Sequence, residues 1–297
     1  MASADKSYLS KVLLFGEYTI LHGSKALAMP FERYAGRWII DKSHQSRRHL
    51  EVLKSYLIKQ YGLGQFSYMD FDEMEYQITK GLAFDSNIPL GYGVGSSGSV
   101  SAAVFDRFAR LDTQLSIPDL QRELGLIESC FHGSSSGLDP LVSYLNQPIL
   151  QHSKTTVELI DHVQEHLHRN LYLIDTGKAR RTKPLVESYK ETRRSSDDFI
   201  METQAIAEQN DQIIDTYLNG NEETFKEAFL QLSTLQYHTM QMMIPSEFRE
   251  MWKHGIASKR YAVKLNGAGG GGFLMLMILD DSIFEELDQQ HILVPLQ

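Results

Sequence analysis

Short apolar runs and longer stretches with helical spacing alternate along the chain, and the short runs predict strands. Lys11–Phe15 is an apolar run that leads into a glycine, and Leu27–Trp38 predicts a further strand pair. A new strand begins within Leu167–Asp175. Near the end of the chain, Tyr261–Leu265 and Phe273–Leu279 predict two strands on either side of a glycine-rich loop.

Apolar residues that recur at helical spacing predict helices in much of the remaining chain. A helix is expected over Leu50–Gln60, and another over Val100–Leu111 directly after a glycine and serine loop. Pro118–Phe131 predicts a helix, because proline is tolerated in the first helical turn. Val186–Leu218 and Glu222–Met243 are two long amphipathic stretches that a turn signal separates.

The order of these elements predicts the fold class. Strands and helices are mixed without a regular βαβα order, which indicates an α+β protein rather than a doubly wound sheet. A chain of 297 residues is long for one core and sufficient for two domains of ordinary size. We place the boundary just before the strand in Leu167–Asp175, so the expected domains are residues 1–168 and 169–297.

Composition excludes several classes of protein. A net charge of −9 argues against a nucleic-acid-binding surface, because phosphate backbones recruit basic surfaces. The longest apolar run is too short to span a bilayer and no secretory signal is apparent, so a cytoplasmic protein without a membrane partner is expected. The single cysteine, Cys130, excludes an intramolecular disulfide and a cysteine-cluster metal site. A homodimer stays open.

The first chemical motif is the glycine and serine loop Pro89–Ser99, with glycines at positions 91, 93, 95 and 98. Glycines let backbone N–H groups approach an anion closely, and the helix that follows adds its positive N-terminal end. Ser96 and Ser97 supply hydroxyls for phosphate or Mg²⁺. The loop also matches the dinucleotide fingerprint, but no buried strand is predicted directly before it. A plain flexible loop is the remaining alternative.

The second motif places two carboxylates, Glu128 and Asp139, on either side of a turn rich in hydroxyl groups. Glu128 lies late in a predicted helix and is suited to Mg²⁺, which prefers oxygen ligands. Asp139 is free to accept a proton from an alcohol. The same turn matches G-x-S-x-G, so a serine hydrolase with Ser135 as nucleophile is the alternative from another class. That motif requires a strand before it, where a helix is predicted.

The third motif is Lys264–Phe273, which carries five glycines in six positions. Glycine at this density favours a backbone that packs closely against phosphate or substrate. A tight hairpin between two strands is the alternative.

Together these segments resemble the GHMP kinases, and within that family the mevalonate kinases. Lys11–Gly23 is similar to the first family motif, P-G-K-…-G-E-H/Y-…-H-G. Pro89–Ser99 resembles the second, P-x-G-x-G-L-G-S-S, and Lys264–Gly272 resembles the third, K-x-x-G-A-G-G-G-G. Glu128–Asp139 matches the segment E-x-x-x-H-G-x-x-S-G-x-D at every fixed position, and Asp175–Thr182 resembles the R-x-T element.

The resemblance implies phosphoryl transfer from ATP, with Mg²⁺, to a small-molecule alcohol, most closely the conversion of mevalonate to 5-phosphomevalonate. Asp139 would be the catalytic base, Lys11 the charge beside it, and Ser97 and Glu128 the Mg²⁺ ligands. The ATP phosphates would be held by Gly93, Gly95, Ser96 and Ser97. The substrate side would comprise Glu17, Tyr18, His22, Arg180, Thr182 and Gly269.

The resemblance also implies an N-terminal α+β domain like that of a ribosomal protein and a C-terminal, ferredoxin-like α/β sandwich. Tyr18 stands where mevalonate kinases more often carry histidine and phosphomevalonate kinases commonly carry tyrosine. Phosphomevalonate kinase therefore remains an alternative, as does a sugar kinase of the same family. An ATP-binding module without turnover is the non-enzyme alternative.

Overall fold

The structure is a computed structural model that describes residues 6–153, 156–180 and 182–296. Its strands are β1 (Ser7–Phe15), β2 (Ala26–Ile40), β3 (Leu82–Ser86), β4 (Ile149–Gln151), β5 (Val157–Leu159), β6 (Leu171–Asp175), β7 (Tyr261–Leu265), β8 (Phe273–Ile278) and β9 (Leu293–Pro295). Its α-helices are α1 (Ser46–Tyr61), α2 (Phe71–Lys80), α3 (Ser96–Phe108), α4 (Ile117–His132), α5 (Leu138–Leu145), α6 (Glu165–His168), α7 (Thr182–Ser195), α8 (Asp197–Asn219), α9 (Glu222–Thr239), α10 (Arg249–Ser258) and α11 (Phe284–Gln290).

The chain divides into two compact units, each built from several segments. Unit 1 comprises Met1–Lys11, Met29–Pro89 and Val94–Gln147. Unit 2 comprises Val12–Ala28, Leu90–Gly93 and Pro148–Gln297. The predicted domain boundary at residue 168 stays a prediction.

In unit 1, α3 is a largely buried helix. Its buried residues are mostly small or apolar and include Ala102, Ala103, Val104, Phe105 and Phe108. The hydroxyl of Ser99 on this helix donates to the carbonyl of Tyr8 on β1 at 2.9 Å. Beside them, β2 pairs antiparallel with β3, with Trp38 opposite Phe84. The helix that follows the first glycine loop is therefore part of the core of unit 1.

In unit 2, four strands form a sheet in the order β7-β8-β6-β9, and the pairings of β6 and β7 with β8, and of β6 with β9, are antiparallel. Thus β6, the first of the four strands along the chain, lies between β8 and β9 in the sheet. Helices α7 to α10 connect β6 to β7, and α11 connects β8 to β9. This is the ferredoxin-like order of elements. The predicted α+β class is confirmed.

The amphipathic stretch predicted as Val186–Leu218 is two helices, α7 and α8. The interruption falls at Ser196, whose backbone is extended and whose hydroxyl accepts the N–H of Phe199 at 3.2 Å. Two acidic residues in the first turn of α8 further favour a helix start, because they face the positive end of the helix dipole. Hydrophobic periodicity continues across the break, so the pattern alone did not reveal it.

The strand pair predicted over Leu27–Trp38 is also wrong, because β2 is one long strand. Its start pairs with β4, with Ala26 opposite Gln151, and its end pairs with β3. Two different partners along its length explain why a single strand has two apolar segments.

Among the described residues, none of the helices has the length and apolar character needed to cross a membrane.

A fully buried ion pair joins β7 to the segment after β1. Lys264 Nζ lies 2.6 Å from Glu17 Oε1, and the two side chains are 0% and 1% exposed. Lys264 also donates to the carbonyl of Leu265 at 2.7 Å and lies over the ring of Phe15. Burial raises the pKa of Glu17, while the Lys264 ammonium opposes that rise. Each charge therefore depends on the other to remain in the interior.

We predict that Lys264→Met lowers the free energy of unfolding by about 3–5 kcal/mol, because it leaves a buried carboxylate without its partner. The double variant Lys264→Met/Glu17→Gln should recover most of that loss. Lys25→Met is the matched control, since its pair with Asp215 is at the surface and contributes at most about 1 kcal/mol. Urea unfolding measures all three. Equal losses in the Lys264 and Lys25 variants would contradict the prediction.

His168, at the end of α6, is buried against Tyr217 of α8. Its Nε2 atom lies 2.7 Å from the Tyr217 hydroxyl, and the two rings stack at 5.8 Å between centroids. Burial, with a smaller contribution from His166, lowers the pKa of His168 to about 4. The unfolded chain binds this proton at an ordinary histidine pKa of about 6.5. Stability is therefore lost as the pH falls between these two values.

We predict that the free energy of unfolding falls by about 2 kcal/mol more in the wild type than in His168→Gln between about pH 7 and pH 5. Urea unfolding at the two pH values measures the difference. His152→Gln, at a partly exposed histidine beside Glu158, should behave as the wild type does. If His168→Gln loses as much stability as the wild type between these pH values, His168 is not the source of the pH-dependent loss.

Candidate active site

The N-terminus of α3 carries the two serines that were predicted to bind phosphate. The helix begins at Ser96 rather than at the predicted Val100, so Ser96 and Ser97 lie in its first turn. Gly95 is the N-cap residue, with φ 80°, and no side chain caps the helix. The first N–H groups of a helix have no partner within it and attract anions. This turn is therefore suited to a phosphate group.

Lys11 on β1 and Asp139 in the first turn of α5 form an ion pair. The distance from Lys11 Nζ to Asp139 Oδ1 is 2.9 Å. The Lys11 side chain is only 5% exposed, whereas that of Asp139 is 31% exposed. The lysine is thus a buried counter-charge, while the carboxylate remains accessible to a small molecule.

Two glycines of the first loop let the start of α3 approach this ion pair. A Cβ atom added at Gly95 would lie 2.8 Å from Cγ of Lys11. One added at Gly98 would lie 2.8 Å from the carbonyl carbon of Asp139. Both distances are too short for real Cβ contacts, so glycine is required at each position. The predicted phosphate turn and the predicted base are neighbours in unit 1.

Glu128, near the end of α4, completes this group. It is 4% exposed, and its Oε1 atom accepts a hydrogen bond from Ser97 at 2.7 Å. Its Oε2 atom accepts one from Ser135 at 2.5 Å. Burial, followed by the negative charge of Asp139, raises the pKa of Glu128 to about 7, against the effects of the two hydroxyls and Lys11. A cation beside Glu128 would favour its charged form.

The donors around Glu128 fit Mg²⁺. They are carboxylate and hydroxyl oxygens, which this hard cation prefers. In the described ranges 6–153, 156–180 and 182–296, no group of three or more His, Cys, Asp or Glu residues could hold a metal by itself.

The serine hydrolase alternative fails on local structure. The segment before the G-x-S-x-G turn is α4, a helix, whereas the nucleophile elbow requires a strand. The Ser135 hydroxyl donates to Glu128 rather than to an imidazole. The nearby His132 ring lies 2.9 Å from the hydroxyl of Ser97 instead.

Tyr18 and His22 lie together in unit 2. Tyr18 has a φ of 63°, which is unusual for a bulky residue and is typical of functional sites. Its hydroxyl donates to the carbonyl of Ala268 in the third glycine loop, at 2.7 Å. The Tyr189 ring of α7 lies 4.5 Å from the Tyr18 ring and 5.6 Å from that of His22, between centroids. Burial, then the charge of Arg193, lowers the pKa of His22.

Arg180 lies against two glycine loops of unit 2. Its Nη1 atom donates to the carbonyl of Asn266 at 2.7 Å. Cβ atoms added at Gly93 and Gly267 would lie 2.0 and 2.3 Å from its Nη2 atom. The guanidinium group therefore lies directly against both glycines, whose positive φ values of 78° and 69° favour glycine at each position. Gly269 has a φ of 70°, and a Cβ atom added there would lie 2.4 Å from the carbonyl oxygen of Met243.

The remaining substrate-side prediction concerns the start of α7. Thr182 is the first residue of this helix and is exposed. Its predecessor Arg181 lies outside the described residues. The predicted role of Thr182 therefore stays a prediction.

Sequence reasoning overlooked two residues of these groups. Ser135 was considered only as a nucleophile, although its place between Glu128 and Asp139 was a signal for a supporting hydroxyl. Tyr189 is a buried aromatic residue in the largely polar helix α7, and no motif marked it. No motif indicated that Lys264 is buried against Glu17.

Comparisons with known proteins bear on this arrangement. Residues 52–147 match the family model described as the GHMP kinases N terminal domain. A mevalonate kinase of Thermococcus sibiricus is 25% identical over 303 residues, which cover 89% of this chain and 85% of the relative. Thus both a family model and a relative that aligns over most of its length agree with the motifs.

Solved structures agree with the fold. The mevalonate kinase of Methanococcus jannaschii superposes with a TM-score of 0.65 at 19% identity, covering 97% of this chain and 95% of that one. A Streptococcus pneumoniae phosphomevalonate kinase, solved with phosphomevalonate and AMPPNP, gives a TM-score of 0.63 at 14% identity and covers 96% and 95%. The solved structures share this fold. The GHMP kinase N-terminal domain matched over residues 52–147, together with the mevalonate kinase relative, indicates an ATP-dependent small-molecule kinase.

Proposed function

We propose that this kinase transfers the γ-phosphoryl group of ATP to the hydroxyl group of mevalonate and forms 5-phosphomevalonate. The observation that carries the proposal is the Lys11–Asp139 ion pair, which lies directly beside the uncapped start of α3. A candidate base next to an anion-binding turn is the arrangement that phosphoryl transfer to an alcohol requires. The name of the Thermococcus sibiricus relative supports mevalonate as the alcohol.

In the proposed mechanism, the hydroxyl oxygen of the acceptor forms a bond to the γ-phosphorus of ATP, and the bond from that phosphorus to ADP breaks. Asp139 accepts the proton that the hydroxyl group loses. Lys11 holds the Asp139 carboxylate in place and adds positive charge beside the transferring group. The loose transition state of this reaction mainly needs positioning and charge stabilisation. The phosphates of ATP are assigned to Gly93, Gly95, Ser96 and Ser97.

Ser97 and Glu128 are the proposed ligands of Mg²⁺. When bound, the ion would neutralise part of the negative charge on the ATP phosphates. The substrate side is proposed to comprise Tyr18, His22, Arg180, Thr182 and Gly269. Glu17, predicted with them from the sequence, is fully buried in its ion pair with Lys264, so it supports this lysine rather than contacting the substrate. A cytoplasmic location and a homodimer remain predictions.

Phosphomevalonate kinase is the second candidate. Tyr18 and the fold of the Streptococcus pneumoniae enzyme favour it. The Tyr18 hydroxyl, however, donates to Ala268, so this tyrosine has a role within the protein that does not depend on a phosphorylated acceptor. A sugar kinase and an ATP-binding module without turnover are further alternatives, and the latter has no need of a base such as Asp139.

We predict that the purified protein releases ADP with mevalonate and not with phosphomevalonate, homoserine or galactose. A coupled ADP-release assay with Mg²⁺ and ATP measures all four acceptors. Turnover with phosphomevalonate alone would replace the first proposal by the second. Nucleotide binding without turnover on any acceptor would favour the binding module.

We predict that Asp139→Asn lowers kcat by at least about a hundredfold, because the base that receives the hydroxyl proton is removed. Asp112→Asn, an exposed aspartate in the same unit, is the control and should keep wild-type kcat. Steady-state kinetics measures kcat, and circular dichroism establishes that both variants fold. Near-normal turnover in folded Asp139→Asn would refute the assignment of this base.

A further inference from the structure

The turn between α4 and α5 contains a hydroxyl group that connects the two carboxylates of unit 1. Ser135 Oγ donates to Glu128 Oε2 at 2.5 Å and accepts the N–H of Gly137 at 2.9 Å. Gly137 is the N-cap residue of α5, and Asp139 lies in the first turn of that helix. One side chain therefore joins the candidate metal ligand to the backbone that positions the candidate base.

Glu128 is held from both sides. Ser97 donates to Oε1 from the start of α3, and Ser135 donates to Oε2 from the turn. Because each oxygen accepts a hydrogen bond from a different element, the orientation of the carboxylate is fixed. The Ser135 hydroxyl donates its one proton to Glu128, and a lone pair on its oxygen accepts the N–H of Gly137. The hydroxyl therefore has a partner both as donor and as acceptor.

The rest of the turn lies tightly along α4. A Cβ atom at Gly137 would lie 2.0 Å from the carbonyl oxygen of Gln121, and one at Gly125 would lie 3.0 Å from the N atom of Gly137. The Gln121 side chain donates to the carbonyl of Ser136 at 3.0 Å. Gln121, Gly125 and Glu128 recur at helical spacing on one face of α4. The turn thus has little freedom to move relative to Glu128.

We propose that Ser135 is a positioning residue that fixes Glu128 relative to Asp139, so that a divalent cation and the base are held at a set separation. This inference rests on the proposed function, because it concerns the same carboxylates. Ser135 does not contact a reacting atom, and it acts through Glu128. Supporting hydrogen bonds of this kind typically change metal affinity or activity by about 10–100-fold when they are removed.

The test compares Ser135→Ala, Ser135→Thr and Ser134→Ala. Ser134 is the exposed neighbour in the same turn and serves as the matched control. Mn²⁺ binding in the presence of ATP, followed by electron paramagnetic resonance, is the readout that does not depend on turnover. We expect Ser135→Ala to weaken Mn²⁺ binding by about tenfold and to lower kcat by a similar factor with little change in the KM for mevalonate. Ser135→Thr keeps the hydroxyl and should restore both.

The outcomes separate this inference from the proposed function. If the wild type turns over mevalonate and Ser135→Ala binds Mn²⁺ as Ser134→Ala does, the role of Ser135 is refuted and the function stands. If the wild type does not turn over mevalonate but Ser135→Ala still weakens Mn²⁺ binding, the function fails and the role of Ser135 stands. A wild type without Mn²⁺ binding overturns the inference. If the alanine variant does not fold, Ser135→Cys, a weaker donor, replaces it.

Discussion

The ion pair between Lys11 and Asp139 is the interaction on which the proposed active site depends. The Lys11 side chain is almost completely buried, and a buried ammonium group is strongly unfavourable without a partner. The carboxylate of Asp139 satisfies it and so fixes the start of α5 against β1. Asp139 nevertheless remains partly exposed. A carboxylate that is held by a buried cation and is still accessible is suited to receive a proton from a bound alcohol.

Glycines make this geometry possible within unit 1. Gly95 and Gly98 allow the start of α3 to lie against the two charged residues, and Gly137 allows the following turn to lie against α4. A side chain at any of these positions would push apart elements that carry functional groups. Function therefore follows from backbone contacts at particular glycines as much as from the charged residues themselves. In unit 2, Gly93 and Gly267 lie directly against the guanidinium group of Arg180.

Hydrophobic patterning allowed β1, β2, β6, β7 and β8 and the helices α1, α3, α4 and α9 to be predicted, whereas the capped helix α2 and the break between α7 and α8 were not. It placed the start of α3 too late, because the run Ser96–Ser99 has low helix propensity and tertiary packing overrides it. It did not predict that Lys264 is buried, because a lone lysine is usually at the surface. It did not assign a supporting role to Ser135, since the pairing of a hydroxyl with Glu128 depends on how the turn folds back.

The central claim is that Lys11 and Asp139 act as one unit in phosphoryl transfer. A double-mutant cycle on kcat with ATP and mevalonate tests it most directly, with Lys11→Met, Asp139→Asn and the combined variant. Residues that act together are not additive, so the combined variant should be within about threefold of the slower single variant. Losses that multiply in the combined variant would show that the two residues act independently, and they would contradict this account.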